Sequence, residues 1–426
     1  MTMSAQTEPI QMEKLRFLSS DQVQSLAAQY GTPLFVYSEA ILGEKAKEAL
    51  CFTAPYGLTV RFAMKANPLA AVLKVFDNLG IQIDASSGYE AHRAILAGVK
   101  PNHIMLTSQE LPDDLESLVA MGVKFNATSL HQLEVYGQKH LRQALAVRLN
   151  AGLGSGYRPG VSVAGPGASF GIWHEHVGQA RSIIKKYDLT VDTVHSHIGC
   201  GNDPILWHQA AKLTLRLVSH FPSVTTLNLG GGFKVARMSD ETATDLGPLG
   251  EGVSDLLSAY ADHTGRKLHL EIEPGTLLTA NAGALITRIQ DMANTGRDGY
   301  SFLKLDTGMN DIMRPALHAS QHPIIILNER AYNPHSYVVV GHNCESSDLL
   351  TPSPDDAESP EPRTLQEASI GNIAVIEGVG AYCSAMRLVG YNSFPTPNEV
   401  LVTSAGDFKL IRRRQELTDL TQSEIR

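Results

Sequence analysis

Eight short apolar segments recur along the first two thirds of the chain. They read Thr59–Ala63, Ile81–Ala85, His103–Thr107, Val123–Ala127, Leu145–Leu149, Thr193–Ile198, Thr225–Leu229 and Leu268–Ile272. Most begin roughly 20 to 30 residues after the one before, with helix-like sequence between, as expected of strand–helix alternation. Eight such units predict a closed (β/α)8 barrel, a fold whose chemistry gathers at the C-terminal ends of its strands. Polar and glycine residues stand at those ends: Lys65, Asp84, Arg148, His197, Gly230–Gly232 and Glu273.

Outside this repeat the texture changes. Ser19-Ser20-Asp21 starts a helix that Gly31 stops, and TPLFVY (residues 32–37) reads as a strand. The longest interval between barrel strands, residues 150–192, opens with a stretch too glycine-rich for a helix and predicts a loop over the barrel mouth. Helical spacing resumes at His174–Lys186. Beyond Glu273-Pro274-Gly275, short β-rich runs (ALITRIQDM, FLKLDT, IIILN, SYVVVGH, IAVIEGV, EVLVT) alternate with Gly, Pro and Asn turns, predicting a mostly antiparallel second domain. The expected division is a barrel over residues 34–280 and a β-rich domain of 1–33 plus 281–426. Thr351–Arg363, proline-rich and acidic, reads as an exposed loop.

A chain of 426 residues accommodates both domains. The formal charge of −9, with no basic run, argues against a nucleic-acid partner. Four widely spaced cysteines (Cys51, Cys200, Cys344, Cys383) form no CxxC pair and suit reduced thiols. No apolar run approaches the roughly 20 residues of a membrane span. The expectation is a soluble, cytoplasmic protein.

Each polar strand end admits a bland reading and a chemical one. Lys65, in FAMKANP, is either a surface lysine of a βα-loop or an amine at the barrel mouth, partly desolvated and nucleophilic toward an aldehyde. Gly230–Gly232 is a tight turn or a phosphate cradle, in the region after strand 7 where such barrels hold phosphate. Glu273 is an ion-pair partner or a carboxylate facing the ring nitrogen of a pyridine cofactor. Asp84 and Arg148 suit a simple ion pair. His195 and His197 alternate along one predicted strand face and suit either metal ligation or stacking on a planar ring. No other strand ends in histidine, which favours the ring. Cys344, beside Glu345 after a predicted strand, is either an inert thiol or a proton donor.

Together these stretches resemble the fold-type III pyridoxal phosphate decarboxylases, and within them the diaminopimelate decarboxylase branch. The likeness runs from about Thr32 to Pro395. It rests on MKANP (Lys65), DASSGYE (Asp84, Ser87, Glu90), HIGCG (His197, Cys200), GGG, EPG (Glu273, Gly275), MRPAL (Arg314), CESSD (Cys344, Glu345) and GAY (Tyr382). The resemblance implies an alanine racemase-like barrel plus β domain, pyridoxal 5′-phosphate carried by Lys65, and a homodimer with composite active sites. It implies that His197 stacks on the cofactor ring, that the triple glycine and Gly275–Thr276 hold phosphate, and that Glu273 meets the ring nitrogen. Asp84, Ser87, Arg148, Cys200 and Tyr382 are then cofactor neighbours, and Cys344 a proton donor. Arg314, His318, Glu345 and Tyr382 would read the substrate. The implied reaction is decarboxylation of meso-2,6-diaminopimelate to L-lysine and CO2, with another basic or D-amino acid as the alternative. Four positions depart from the family pattern: Thr276 replaces an arginine, His318 a tyrosine, Ser169 a lysine and Cys200 a serine.

Overall fold

The computed structural model describes residues 12–153, 164–197, 199, 203–328 and 333–425. Its chain divides into two compact units, one of residues 39–236 and 242–279, the other of 1–38, 237–241 and 280–426.

Helix α1 (Ser20–Tyr30) begins in a capping box, Ser19 with Gln22, and ends at Gly31. The next strand, β1 (Leu34–Ser38), pairs with strands of the β-rich unit, so the expected boundary at residue 34 moves to residue 38. Its five residues are all buried, which marks it as a central strand of that sheet.

The first unit follows. After α2 (Glu39–Leu50) come β2 (Leu58–Ala63), α3 (Ala70–Asn78), β3 (Gln82–Ala85), α4 (Gly88–Leu96), β4 (Ile104–Leu106), α5 (Leu115–Met121), β5 (Lys124–Ala127), α6 (Leu130–Gln138) and β6 (Leu145–Asn150). The short β7 (Ile172–Trp173) lies beside β6. Then α7 (Val177–Tyr187), β8 (Val191–His195), α8 (Pro204–Val218), β9 (Thr226–Asn228), α9 (Leu246–Thr264), β10 (His269–Ile272) and α10 (Thr276–Thr279) complete the series. Parallel pairing runs from β2 through β3, β4, β5, β6, β8 and β9 to β10, and β10 pairs back to β2. Eight strands therefore close into a barrel. Ser87, Ser129, Asp203 and Asp245 cap the helices after their strands, which gives each crossover a defined start.

Alternation along the strands sorts the side chains. Phe62 turns outward against Phe76 of α3, with ring centroids 4.6 Å apart, and Phe125 stacks on Tyr136 of α6 at 5.5 Å. The interior is unusually polar. Thr59 bonds His269, Lys124 bonds Thr193, and Arg61 grips Glu271 with two hydrogen bonds of 3.0 and 2.9 Å.

In the β-rich unit β1 lies between β11 (Gly283–Asn294) and β19 (Asn398–Val402). The same sheet takes in β12 (Ser301–Leu305), β13 (Ile324–Leu327), β14 (Pro334–Val340), β17 (Arg363–Gln366), β18 (Ile373–Glu377) and β20 (Phe408–Arg412). Pairing is antiparallel except for β1 with β19 and β12 with β14. The segment expected to be an exposed loop instead carries a small hairpin, β15 (Pro352–Ser353) with β16 (Asp356–Pro360). Thr351 is fully buried and its Oγ1 accepts from the Val339 N–H, so backbone pairing overrides the proline-rich composition. Among the described residues no helix is long and apolar enough to cross a membrane.

Phe62 tests the outer packing layer. Phe62→Ala removes a fully buried ring and should cost about 3–5 kcal/mol, read as a lowered urea midpoint with an unchanged slope.

Candidate active site

The strand ends of the barrel converge on a cluster of buried charge. Lys65 follows β2 in a short 3-10 turn, Met64–Ala66, and Asp84 is paired in register with Ala63. Arg148, His195, Asn228 and Glu271 lie side by side on neighbouring strands β6, β8, β9 and β10. Glu273 stands one residue beyond β10, and its N–H donates to the Gly230 carbonyl at 2.7 Å. That bond ties the turn after β10 to the glycine turn after β9.

Electrostatics at this ring are governed by burial. Glu273 is pushed up to about 8, first by desolvation, then by Asp84, while Asn228 and Arg148 oppose the shift. Asp84 is raised for the same leading reason and lowered by Lys65, Thr107 and the two arginines. His195 and His197 are both held well below the usual imidazole range by burial and by the Arg148 and Lys65 charges, so both are neutral. Lys65 itself is exposed in this chain, so the expected desolvation of its amine is not supplied by the chain alone. Its charge nonetheless acts on Asp84, Glu90 and both histidines.

The predicted strand face for His195 and His197 ends early, because β8 stops at His195. The two rings still meet. Their nitrogens and a Glu273 oxygen lie within 4.8 Å of one another. The protons, however, are arranged poorly for a metal. Gly231 N–H donates to His197 Nδ1 at 3.1 Å, which leaves the proton of the neutral ring on Nε2. Asn126 Nδ2 lies 2.6 Å from His195 Nδ1, which places that ring's N–H toward Glu273 Oε2 at 3.4 Å. The His195 imidazole thus turns an N–H, rather than a lone pair, toward the carboxylate.

The glycines are required by space. A Cβ on Gly231 would lie 2.2 Å from the Glu273 carbonyl oxygen, and one on Gly230 would lie 2.4 Å from His197 Nδ1. Gly230 and Gly232 also have φ of 69° and 104°, a region that favours glycine.

Residues 44–280 match the family model described as "Pyridoxal-dependent decarboxylase, pyridoxal binding domain". The diaminopimelate decarboxylase of Escherichia coli (strain K12) is 31% identical over 424 residues, covering 96% of this chain and 97% of that protein. The chain belongs to the pyridoxal-dependent decarboxylases. A crystal structure of diaminopimelate decarboxylase superposes with a TM-score of 0.87 at 31% identity, covering 95% of this chain and 96% of that one. The Helicobacter pylori enzyme, solved in complex with L-lysine, gives 0.82 at 26% identity, covering 94% and 98%.

The cofactor of this family of decarboxylases is pyridoxal phosphate. The barrel residues suit such a group. An exposed amine at Lys65, a side-chain-free turn at Gly230–Gly232 and a buried carboxylate at Glu273 are the groups that would meet its aldehyde, phosphate and ring nitrogen in turn. Among the described residues, Asp84 Oδ1 and His195 Nε2 are buried without a hydrogen-bond partner, as expected of groups that would face a ligand. Gly275 is buried and Thr276, half-buried, opens α10. Ser87 has a local task, since its Oγ accepts from the Glu90 N–H and caps α4, while Glu90 accepts from the Ser86 N–H. Asp84 and Arg148 interact through their charges, and Arg148 also lies over the Phe170 ring at 5.2 Å. Cys200 lies outside the described residues.

The remaining predicted residues belong to the β-rich unit. Cys344 and Glu345 are exposed on a loop. The Cys344 N–H donates to Asn392 Oδ1, and Glu345 is held below the usual carboxylate range by the Ser347 and Ser346 N–H and hydroxyl groups and by Tyr391. Asp348 anchors the loop from beneath, accepting from Met309 N–H, Asn343 N–H and Asn343 Nδ2. Arg314 is half-buried and donates to Ser320 Oγ, with its Nε buried and unpartnered. His318 is exposed, and Tyr382 is half-buried with a left-handed φ of 57°. Arg61, Asn126, Asn228 and Glu271 were missed by the sequence reading. For Arg61, Glu271 and Asn228 the period-two spacing from Ala63, Glu273 and the glycine turn was the available signal.

Two outcomes follow from this geometry. Gly231→Ala should weaken cofactor affinity by roughly 5- to 150-fold, because strain of about 1–3 kcal/mol falls on the turn itself; absorbance titration measures it. The second concerns Glu273, whose native state keeps a proton that the unfolded chain has already lost. Stability of the cofactor-free protein should therefore fall as pH rises from about 4.5 to about 8. In Glu273→Gln that part of the slope should vanish from a pH series of urea unfolding.

Proposed function

We propose that this chain decarboxylates meso-2,6-diaminopimelate, giving L-lysine and CO2. The observation that carries the reading is 31% identity to a diaminopimelate decarboxylase across 96% of the chain, joined to a barrel mouth that suits the cofactor throughout. When bound, pyridoxal 5′-phosphate supplies an electron-poor ring that accepts the electron pair left as CO2 departs.

The chain's own residues hold and direct that chemistry. Lys65 provides the amine for the aldehyde; Gly232, Gly275 and Thr276 provide backbone N–H groups for phosphate, while Gly230 and Gly231, whose N–H groups are bonded to Asn228 and His197, keep the turn free of side chains. His197 offers a neutral aromatic face, since its Nδ1 is occupied by Gly231 N–H. Glu273 sits in a buried environment that disfavours its charge, and a cationic ring nitrogen would relieve that cost. Asp84, Arg148 and Ser87 line the same mouth. Cys344 donates the proton that takes the place of the lost carboxylate. Arg314 binds the substrate's remote carboxylate and Glu345 its remote ammonium, with His318 and Tyr382 beside them. The active form in this reading is a cytoplasmic homodimer whose β-rich units complete the partner's sites.

A second reading keeps the chemistry and changes the substrate to another basic or D-amino acid. Thr276 and His318 favour it, because each stands where the family pattern has a different polar group.

A substrate panel separates the two. The protein loaded with cofactor should release CO2 from meso-diaminopimelate faster than from lysine, ornithine or arginine by roughly 10- to 100-fold, the worth of about 1.5–3 kcal/mol for a charged hydrogen bond. A reversed ranking, with no gain for diaminopimelate in Thr276→Arg, would select the second reading.

A further inference from the structure

Below the glycine turn, one amide side chain connects nearly every element of the site. Asn228 Oδ1 accepts from the Gly230 N–H at 2.8 Å, which fixes the direction of its amide. Its Nδ2 then donates both protons to carboxylates, to Glu273 Oε1 at 2.7 Å and to Glu271 Oε2 at 3.1 Å. Glu271 is 4% exposed and Arg61 is 5% exposed, yet Glu271 lies below the usual carboxylate range because the Arg61 guanidinium grips both of its oxygens. An ionised Glu271 can only accept hydrogen bonds. A protonated one would offer an O–H to Asn228, and the amide could turn over, releasing Gly230 and Glu273 together.

We propose that Asn228 and the Arg61–Glu271 ion pair are positioning residues, a buried relay that holds Glu273 as an oriented carboxylate and locks the glycine turn to it. The proposal rests on the reading above, in which Glu273 meets the cofactor ring nitrogen. None of the three touches the reacting atoms. Their arrangement explains why a large charged pair occupies a barrel interior that apolar layers usually fill, since such a pair is weak evidence of stability alone. Other charges also face Glu273: Asp84 from β3, Arg148 from β6 and the neutral His195 from β8. Of these only Arg148 favours the carboxylate. The Asn228 donor adds to that support, and Glu271, itself a like charge that disfavours the carboxylate, contributes by fixing the direction of the Asn228 amide.

The test is cofactor affinity measured by absorbance titration one pH unit below and one above about 8. Asn228→Leu removes the donor and leaves the ion pair intact. It should weaken apparent affinity by roughly tenfold at the lower pH. The deficit should shrink at the higher pH, where Glu273 loses its proton without help. Arg61→Met should show the same pH-dependent deficit, and Arg61→Lys, which keeps the cation, should recover most of it. If Arg61→Met fails to fold, Asn228→Leu alone decides. A deficit equal at both pH values, or none at either, would overturn the proposal and leave the three residues as barrel filling. Failure of the unmodified protein to bind pyridoxal phosphate at either pH would overturn the underlying reading instead.

Discussion

A carboxylate removed from water must find partners or take up a proton, and Glu273 is built at that boundary. It stands just past the last barrel strand, closed in by the glycine turn, with Asp84 and Glu271 as like charges and with Arg148 and Asn228 in its favour. Burial of a charge costs several kcal/mol when it is unpaired. A cation brought beside it would remove that cost, so under the proposed function the residue that is costly in the cofactor-free chain would become a strong contact for a protonated ring nitrogen. The rest of the mouth is arranged around that bargain. Gly230 and Gly231 admit no side chain because His197 and the Glu273 carbonyl occupy the space.

Closure of the barrel makes this cluster possible. Parallel strands in register bring Arg148, His195, Asn228 and Glu271 onto adjacent positions, although the set spans 123 residues of sequence from Arg148 to Glu271. Helices packed on the outside, through contacts such as Phe62 with Phe76, hold the strands while the interior remains polar. In the β-rich unit a comparable buried anion, Glu399, is satisfied in full. It accepts from Tyr37, Ser384, Arg387 and Arg412, and it therefore acts as a structural anchor for β19. The contrast is instructive. Glu399 is surrounded by donors of its own chain, whereas Glu273 is left partly unmatched.

Much of this was legible beforehand. Apolar segments with helical spacing between them gave the eight strands to within a few residues, and the polar residues at their ends are those that gather at the mouth. Errors arose where pairing partners, not local pattern, decide the outcome. The TPLFVY strand reads equally well as a barrel strand or a sheet strand, and only its pairing with β11 and β19 assigns it. Thr351–Arg363 has the composition of a loop, yet Pro352 and Pro360 oppose each other in a hairpin. His197 was expected on the strand with His195; the strand ends first, and a glycine N–H aims the ring instead.

The sequence by itself determined the kind of fold and the chemical inventory, because strand–helix periodicity and an ordered set of motifs are local properties that survive without coordinates. It could not determine which protonation states those groups adopt or which side chains hold them. Those depend on distances and on exclusion from water, and both come into being only when the barrel closes. Arg61, Asn228 and Glu271 illustrate the difference: three ordinary polar residues on three separate segments become one hydrogen-bonded relay once β2, β9 and β10 lie side by side.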